Sequence, residues 1–328
     1  MELPMSKIAA ELVEFVARTA ELSACDGGLD AQRATYRRMA QAFTPPRPPG
    51  VAAHELSLAL DGRAVAARLY LPPDAPPAAG WPGVCYLHGG GWVFGDLDSH
   101  DFITAALAAE LGAAVLAVDY RLAPEHPFPA AFDDALLAWR ALQAQAPRFG
   151  LDPRRIAVAG DSAGGNLAAA LCLALRDAGE PLPCGQALLY PALGGAPSLP
   201  SYREQAEAPL LSACDVAYFH DLYLPDAASH ADPRAAPLAA KSLHGLPPAF
   251  VAVAECDPLR DDGVEYVRRV QAAGGTAVLH LGVGLVHGCL RARGQSAAVD
   301  RLFGALAAAL AGFLAVESAP RAGHVAVG

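Results

Sequence analysis

Ser162 stands in Gly160-Asp161-Ser162-Ala163-Gly164-Gly165-Asn166, between a short apolar run at 156–159 and a helical run at 167–178. The spacing G-x-S-x-G between strand and helix has a physical cause. A serine on so sharp a turn needs small neighbours on both sides, and the turn lifts its hydroxyl above the carboxyl edge of a sheet. An ordinary tight turn with a capping serine would use some of the same residues, so the reading depends on partners elsewhere in the chain. A serine becomes a useful nucleophile only when a base takes its proton, which calls for a histidine in a loop beyond a later strand. Six of the ten histidines follow Ser162: His220, His230, His244, His280, His287 and His324. The first three lie in a proline-rich stretch, His280 alternates within an apolar strand as a packed residue would, and His324 is close to the end of the sequence. His287, in Gly284-Leu285-Val286-His287-Gly288, follows the last expected strand and is the expected base.

The acid that orients an imidazole belongs at the end of the strand before the histidine's. The run 250–254 leads into Glu255-Cys256-Asp257-Pro258-Leu259, and Pro258 ends the strand there, which favours Asp257 over Glu255. Asp261 and Asp262 are expected to cap the following helix. Acyl transfer also needs donors aimed at the developing oxyanion. His88-Gly89-Gly90-Gly91-Trp92 ends an earlier strand, and glycine N–H groups can approach a substrate with no Cβ in the way. Gly89, Gly90 and Gly91, with the N–H of Ala163 after the nucleophile, form the expected oxyanion hole; which two of the three glycines donate stays open.

These residues require a sheet to hold them. Runs at 55–60 and 64–71 flank Asp61-Gly62, the signature of a tight hairpin. Unbroken apolar runs at 83–87, 113–118, 156–159, 187–190, 250–254 and 277–281 read as strands buried on both faces. Helical patterns at 103–111, 130–144, 163–178, 263–273 and 297–314 separate most of them, which predicts a doubly wound, mostly parallel eight-stranded sheet with helices on both faces. An amphipathic helix at 6–22 precedes the proline-rich linker 44–50, and the main body starts near Val51. The stretch between Tyr190 and Phe250 is too long for a single crossover. It is expected to be an insertion that, with residues 1–50, covers the ends of the sheet. His100 and Asp101 are expected to cap or solvate the next helix, and Asp119–Glu125 to form a structural turn.

Composition excludes whole classes. The 328 residues are 53% hydrophobic and 18% charged, which fits neither a disordered nor a coiled-coil chain. Lys+Arg total 24 against Asp+Glu 34, a net charge of −10 that disfavours nucleic acid and anionic membranes. Neither lysine, Lys7 or Lys241, sits in a phosphate-binding loop, so nucleotide binding of that kind is excluded. His54-Glu55 begins like a zinc motif but the fifth position is Leu58, and no Gly pattern gives a dinucleotide fingerprint; no metal or cofactor is expected. Seven cysteines without a C-x-x-C pair read as reduced core thiols, and residues 1–7 lack a signal-peptide pattern, so a cytoplasmic protein is expected. The uncharged apolar stretch 302–316 falls short of the roughly 20 residues a membrane span needs.

From about Val51 onward the chain resembles the hormone-sensitive-lipase-like esterases of the α/β-hydrolase superfamily. The resemblance rests on His88–Trp92, Asp119–Glu125, Gly160–Asn166, Asp257-Pro258-Leu259-Arg260-Asp261 and His287-Gly288. It implies the α/β-hydrolase fold, a Ser162–Asp257–His287 triad, an oxyanion hole from Gly89–Gly91 and Ala163, and a helical cap. That gives cap helices in 1–50, a catalytic domain in 51–328 and a cap insertion at about 195–245. It implies hydrolysis of a small-molecule ester with short to medium acyl groups, an expectation to which Leu210, Leu211, Tyr218, Phe219 and Leu222 of the insertion add an apolar pocket wall. A homodimer is a further possibility. Amide or lactone cleavage on the same triad, and a non-catalytic small-molecule receptor on the same fold, are the alternatives. One departure is Cys289, where the family usually carries an aromatic residue.

Overall fold

The computed structural model describes residues 8–195 and 197–315; residues 1–7, Ala196 and 316–328, with Ser6 and His324 among them, lie outside the described residues. Two helices open the chain, α1 (Val13–Ser23) and α2 (Leu29–Ala42), and Phe15 of the first meets Phe43 edge-on at 5.0 Å. After the prolines come β1 (Ala52–Leu60) and β2 (Arg63–Leu71), closed by Asp61 and Gly62 at φ 50° and 79°. The alternation then runs β3 (Trp81–Leu87), α3 (Asp101–Leu111), β4 (Ala114–Asp119), α4 (Ala130–Gln145), β5 (Leu151–Asp161), α5 (Ala163–Asp177) and β6 (Gln186–Leu189). The insertion holds α6 (Pro200–Glu204) and α7 (Ala213–Tyr223), and the chain ends with β7 (Ala249–Cys256), α8 (Arg260–Ala272), β8 (Ala277–Val286) and α9 (Ala297–Ala315).

The strands form the expected eight-stranded sheet in the order β1-β2-β4-β3-β5-β6-β7-β8, antiparallel across β1, β2 and β4 and parallel from there on. Consecutive side chains of a strand leave opposite faces. Cys85 and Leu87 of β3 therefore pack with Trp139 of α4, Leu167 of α5 and Tyr266 of α8, while Val84 and Tyr86 pack with Ile103 of α3 and Leu302 and Leu306 of α9. Helix α9 is long and apolar enough to span a membrane by length and composition, longer than the stretch at 302–316 suggests. In the fold it lays Val299, Leu306 and Leu310 into the core.

Several expectations need correction. Strand β5 begins at Leu151, because Asp152 pairs with Arg154 and Arg155 caps the Leu314 carbonyl, so polar side chains disguise its first half. Strand β8 runs to Val286 across Gly282 and Gly284, which interrupt the apolar pattern. A register shift beyond Ala254 then pairs Cys256 with Val286, and this sets Asp257 and His287 side by side. His280 is only partly buried, on an edge strand whose Val278, Leu279, Leu281 and Val283 are exposed. Asp261 and Asp262 do not cap α8: they accept N–H groups of Ser201 and of Leu193 and Gly195, because the ends of the insertion fold back over the start of that helix. Cys25 and Cys214, flanked by polar residues, are exposed, whereas Cys85, Cys172, Cys256 and Cys289 are buried.

Candidate active site

The turn from β5 into α5 holds Ser162 at φ 55° and ψ −119°, a strained conformation for a residue with a side chain. The small neighbours are required by contact. A Cβ on Gly160 would lie 2.4 Å from the Gly164 carbonyl carbon, and one on Gly164 would lie 1.9 Å from the Leu87 oxygen. The Ser162 N–H donates to the Leu189 carbonyl at 2.8 Å, which fixes the turn against β6.

His287 comes off the end of β8 with its Nε2 2.9 Å from Ser162 Oγ and its Nδ1 2.7 Å from Asp257 Oδ2. Asp257 is fully buried, and its other oxygen accepts the Leu259 N–H at 2.8 Å, so the carboxylate is held at both ends. Glu255 points elsewhere: it accepts the Gly284 N–H at 2.8 Å and braces the strand that carries the histidine. A carboxylate, an imidazole and a hydroxyl in this order can move a proton off the serine while the imidazolium is stabilised.

The three glycines part company in the structure. Gly89 is corrected as a donor to substrate, because its N–H is directed at Asp161 Oδ1 at 3.0 Å and His100 Nε2 at 3.3 Å. Gly90 and Gly91, at φ 122° and 61°, line the cavity over Ser162, and their N–H groups have no acceptor among the described residues. Ala163 opens α5, where an N–H has no acceptor within its own helix. A Cβ on Gly91 would strike the Phe219 ring at 2.4 Å. The loop is braced from behind by Tyr120, whose hydroxyl donates to the His88 carbonyl at 2.7 Å, and by the Ala123 N–H on the Trp92 carbonyl at 2.9 Å. Asp119–Glu125 is thus a structural support. His88 itself is buried, and burial lowers its pKa to about 4, so its ring is neutral and stacks on Tyr120 at 4.2 Å.

Sequence reasoning missed the polar layer under this loop. Asp161 accepts the Tyr86 hydroxyl at 2.8 Å, the Gly89 N–H, and approaches His100 Nε2 at 3.4 Å. Burial opposes its charge, yet His100, Tyr86 and Arg291 hold its carboxyl well below the usual range. His100 stands at the N-cap of α3 with its carbonyl accepting the Ile103 and Thr104 N–H groups but makes no side-chain cap, and neither it nor Asp101 is solvated: both are buried, and Asp101 takes Arg47, Arg68 and the Tyr70 hydroxyl. Tyr190 and Arg291 were also missed. The Tyr190 ring sits 4.8 Å from that of His287, and Arg291 donates to the Ser99 carbonyl and the Tyr36 hydroxyl. Cys289, buried beside them, has its thiol pKa pushed up by burial.

Ser162 and His287 open into a cavity of about 370 Å³. Phe15 and Met39 of the N-terminal helices wall one side, and Leu210, Leu211 and Phe219 of the insertion the other. Tyr218 and Leu222, expected in the wall, are not part of it: Tyr218 is 40% exposed and Leu222 packs on the core. Among the described residues no cluster of His, Cys, Asp and Glu is arranged to hold a metal ion.

Comparison with known proteins finds relatives of this chain. The family described as alpha/beta hydrolase fold matches residues 84–291. An esterase of Mycobacterium tuberculosis (strain ATCC 25618 / H37Rv), LipI, is 44% identical over 266 residues, covering 80% of this chain and 82% of the relative. An ethyl acetate hydrolase of Pseudomonas putida is 42% identical over 232 residues, covering 70% and 73%. Among solved structures, a thermostable esterase from Pseudomonas putida ECU1011 superposes with a TM-score of 0.89 at 30% identity, over 97% of this chain and 100% of that one.

Proposed function

Because the chain belongs to the hormone-sensitive-lipase-like esterases of the α/β-hydrolase superfamily and is a serine carboxylesterase, we propose that it cleaves short- to medium-chain acyl esters with Ser162 as nucleophile. His287 takes the serine proton as the alkoxide forms its bond to the ester carbonyl, and Asp257 stabilises the imidazolium. The N–H groups of Gly90, Gly91 and Ala163 receive the oxyanion. The carbonyl re-forms as the C–O bond to the alcohol breaks, and His287 returns its proton to the leaving alkoxide. Water, deprotonated by the same histidine, then attacks the acyl-enzyme and releases the acid. The observation that supports this reading best is the continuous relay of 2.7 Å and 2.9 Å from Asp257 through His287 to Ser162, opening into an apolar cavity.

In this reading residues 1–50 and about 195–245 form a cap over a catalytic domain at 51–328, and a cavity of about 370 Å³ limits the acyl group to short and medium chains. The test is a chain-length series of p-nitrophenyl esters with wild type and Ser162→Ala. A maximum at two to six acyl carbons and a loss of about 10⁴- to 10⁶-fold in the variant are expected. A maximum at long chains would overturn the size limit, and substantial turnover in Ser162→Ala would overturn the mechanism. The likeness to an arylacetamide deacetylase of Oryctolagus cuniculus, 34% identical over 255 residues that cover 58% of this chain and 64% of the relative, is the observation behind a second reading, amide cleavage. Matched ester and amide substrates separate the two.

The exposed aliphatic side chains of the edge strand β8 suit antiparallel pairing with β8 of a second copy, which would make the protein a homodimer. Leu281→Lys with Val283→Lys should then yield monomers by light scattering. Seven free thiols fit a reducing compartment such as the cytoplasm.

A further inference from the structure

We propose that the part of the cavity bounded by Tyr36, Tyr190 and Arg291 is a polar subsite that recognises an uncharged oxygen-bearing group of the ester, a hydroxyl, ether or second carbonyl. The proposal rests on the esterase reading and narrows its substrate class.

Tyr190 follows β6, the strand next to β5, whose end leads into Ser162. Its backbone is at φ 36°, a region that side chains other than glycine's occupy only when the surroundings hold them there, and such residues cluster at functional sites. The Tyr190 N–H bond to the Ala252 carbonyl, at 2.6 Å, does the holding, and the ring lies against His287. The side chain is 3% exposed and lines the cavity, yet its hydroxyl has no hydrogen-bond partner among the described residues. The Tyr223 hydroxyl, also unpartnered, belongs to a residue sealed in the core, whereas Tyr190 lines the cavity.

Tyr36 and Arg291 line the same cavity. Arg291 is 7% exposed and directs Nη1 at the Ser99 carbonyl at 2.8 Å and Nη2 at the Tyr36 hydroxyl at 3.0 Å. A guanidinium carries five donors, so these two bonds leave further N–H groups, and a tyrosine hydroxyl that accepts from an arginine still has its own hydrogen to donate. Three side chains with donors thus face a cavity that Phe15, Met39, Leu210, Leu211 and Phe219 line elsewhere. Charge excludes ionic groups. Asp161 and Asp215 line the cavity along with Arg291, so a substrate carboxylate would meet the two aspartates and an ammonium would meet Arg291. A plain alkyl group seated here would strip water from the Tyr190 hydroxyl without replacing its hydrogen bond, a disadvantage of about 5- to 150-fold against an oxygen-bearing group of the same shape.

The group could belong to the acyl or to the alcohol part, and two substrate pairs distinguish them. p-Nitrophenyl methoxyacetate against p-nitrophenyl butyrate probes the acyl side; 2-methoxyethyl acetate against butyl acetate, followed by pH-stat, probes the alcohol side. Within each pair an ether oxygen replaces a methylene. The kcat/KM ratio of a pair in wild type, divided by the same ratio in Tyr190→Phe, cancels intrinsic reactivity and reads only the hydroxyl. We expect this double ratio to be about 5- to 30-fold in one arm, which names the side, and Tyr36→Phe to lower discrimination in the same arm. Phenylalanine keeps the ring and backbone, and unchanged thermal unfolding verifies the fold. Double ratios within twofold of one in both arms, with Ser162→Ala inactive on all four esters, would refute the subsite and leave the esterase reading intact. Turnover that survives in Ser162→Ala would overturn both.

Discussion

Replacing Asp262 by Asn should remove a pH dependence from the stability of the fold. Asp262 is fully buried at the start of α8, where Oδ2 accepts the Leu193 and Gly195 N–H groups at 2.8 and 3.0 Å and Oδ1 accepts the Tyr202 hydroxyl at 3.2 Å. Burial raises its pKa to about 7, against about 3.9 for an aspartate in an unfolded chain. The native state therefore holds this proton more tightly than the unfolded state does. The stability it contributes is complete below about pH 4 and is lost as pH rises toward 7. At about 1.4 kcal/mol per pH unit, the two units from pH 5 to pH 7 correspond to a loss of about 2–3 kcal/mol in wild type. Asparagine keeps an oxygen for the two N–H groups and turns an amide toward Tyr202, and it cannot ionise. Unfolding of both proteins should be followed by denaturant titration at pH 5, 6, 7 and 8 and constant ionic strength. Every other titrating group acts equally in both, so the difference between the curves isolates Asp262. The variant should gain on wild type by about 2–3 kcal/mol between pH 5 and pH 8; parallel profiles would refute the reasoning.

Asp161→Asn keeps an acceptor for the Gly89 N–H but removes the charge that His100 and Arg291 face, so kcat should fall about 10- to 100-fold with little change in KM; an effect confined to KM would contradict its role under the oxyanion loop. Gly164→Ala puts a methyl group 1.9 Å from a backbone oxygen and should prevent soluble, cooperatively folding protein, which expression and thermal unfolding would show. Asp257→Asn should cost about 10⁴-fold in kcat, and Glu255→Gln no more than about tenfold, because only Asp257 touches the imidazole. The reverse order in two folded variants would move the acid by two residues.

What was legible in the chain follows from locality. The elbow at 160–164 could be read because a turn that tight imposes small residues on adjacent positions, and the glycine contacts show why. Asp257 and His287 could be read because each directly follows a strand at the same edge of a parallel sheet. Asp161 was hidden: the groups it joins, Tyr86 and Gly89, lie 75 and 72 residues away, and nothing beside Asp161 signals them. The donor set of the glycine loop was hidden for the same reason, since only the bond from Gly89 to Asp161 distinguishes that N–H from its neighbours. Asp262 looked like a helix cap because the insertion that supplies its partners returns from 67 and 69 residues upstream. Tyr190 carried no signal, because a tyrosine forced to positive φ leaves no local pattern.

The most direct test of the account is covalent labelling with a p-nitrophenyl alkylphosphonate, which traps a serine activated by a histidine. One phosphonate should add per chain, peptide mass spectrometry should find it on Ser162, and esterase activity should fall in proportion to the label. His287→Asn should label several orders of magnitude more slowly. Full activity in stoichiometrically labelled enzyme, or a label placed reproducibly on another residue as activity disappears, would contradict the assignment of Ser162 as nucleophile.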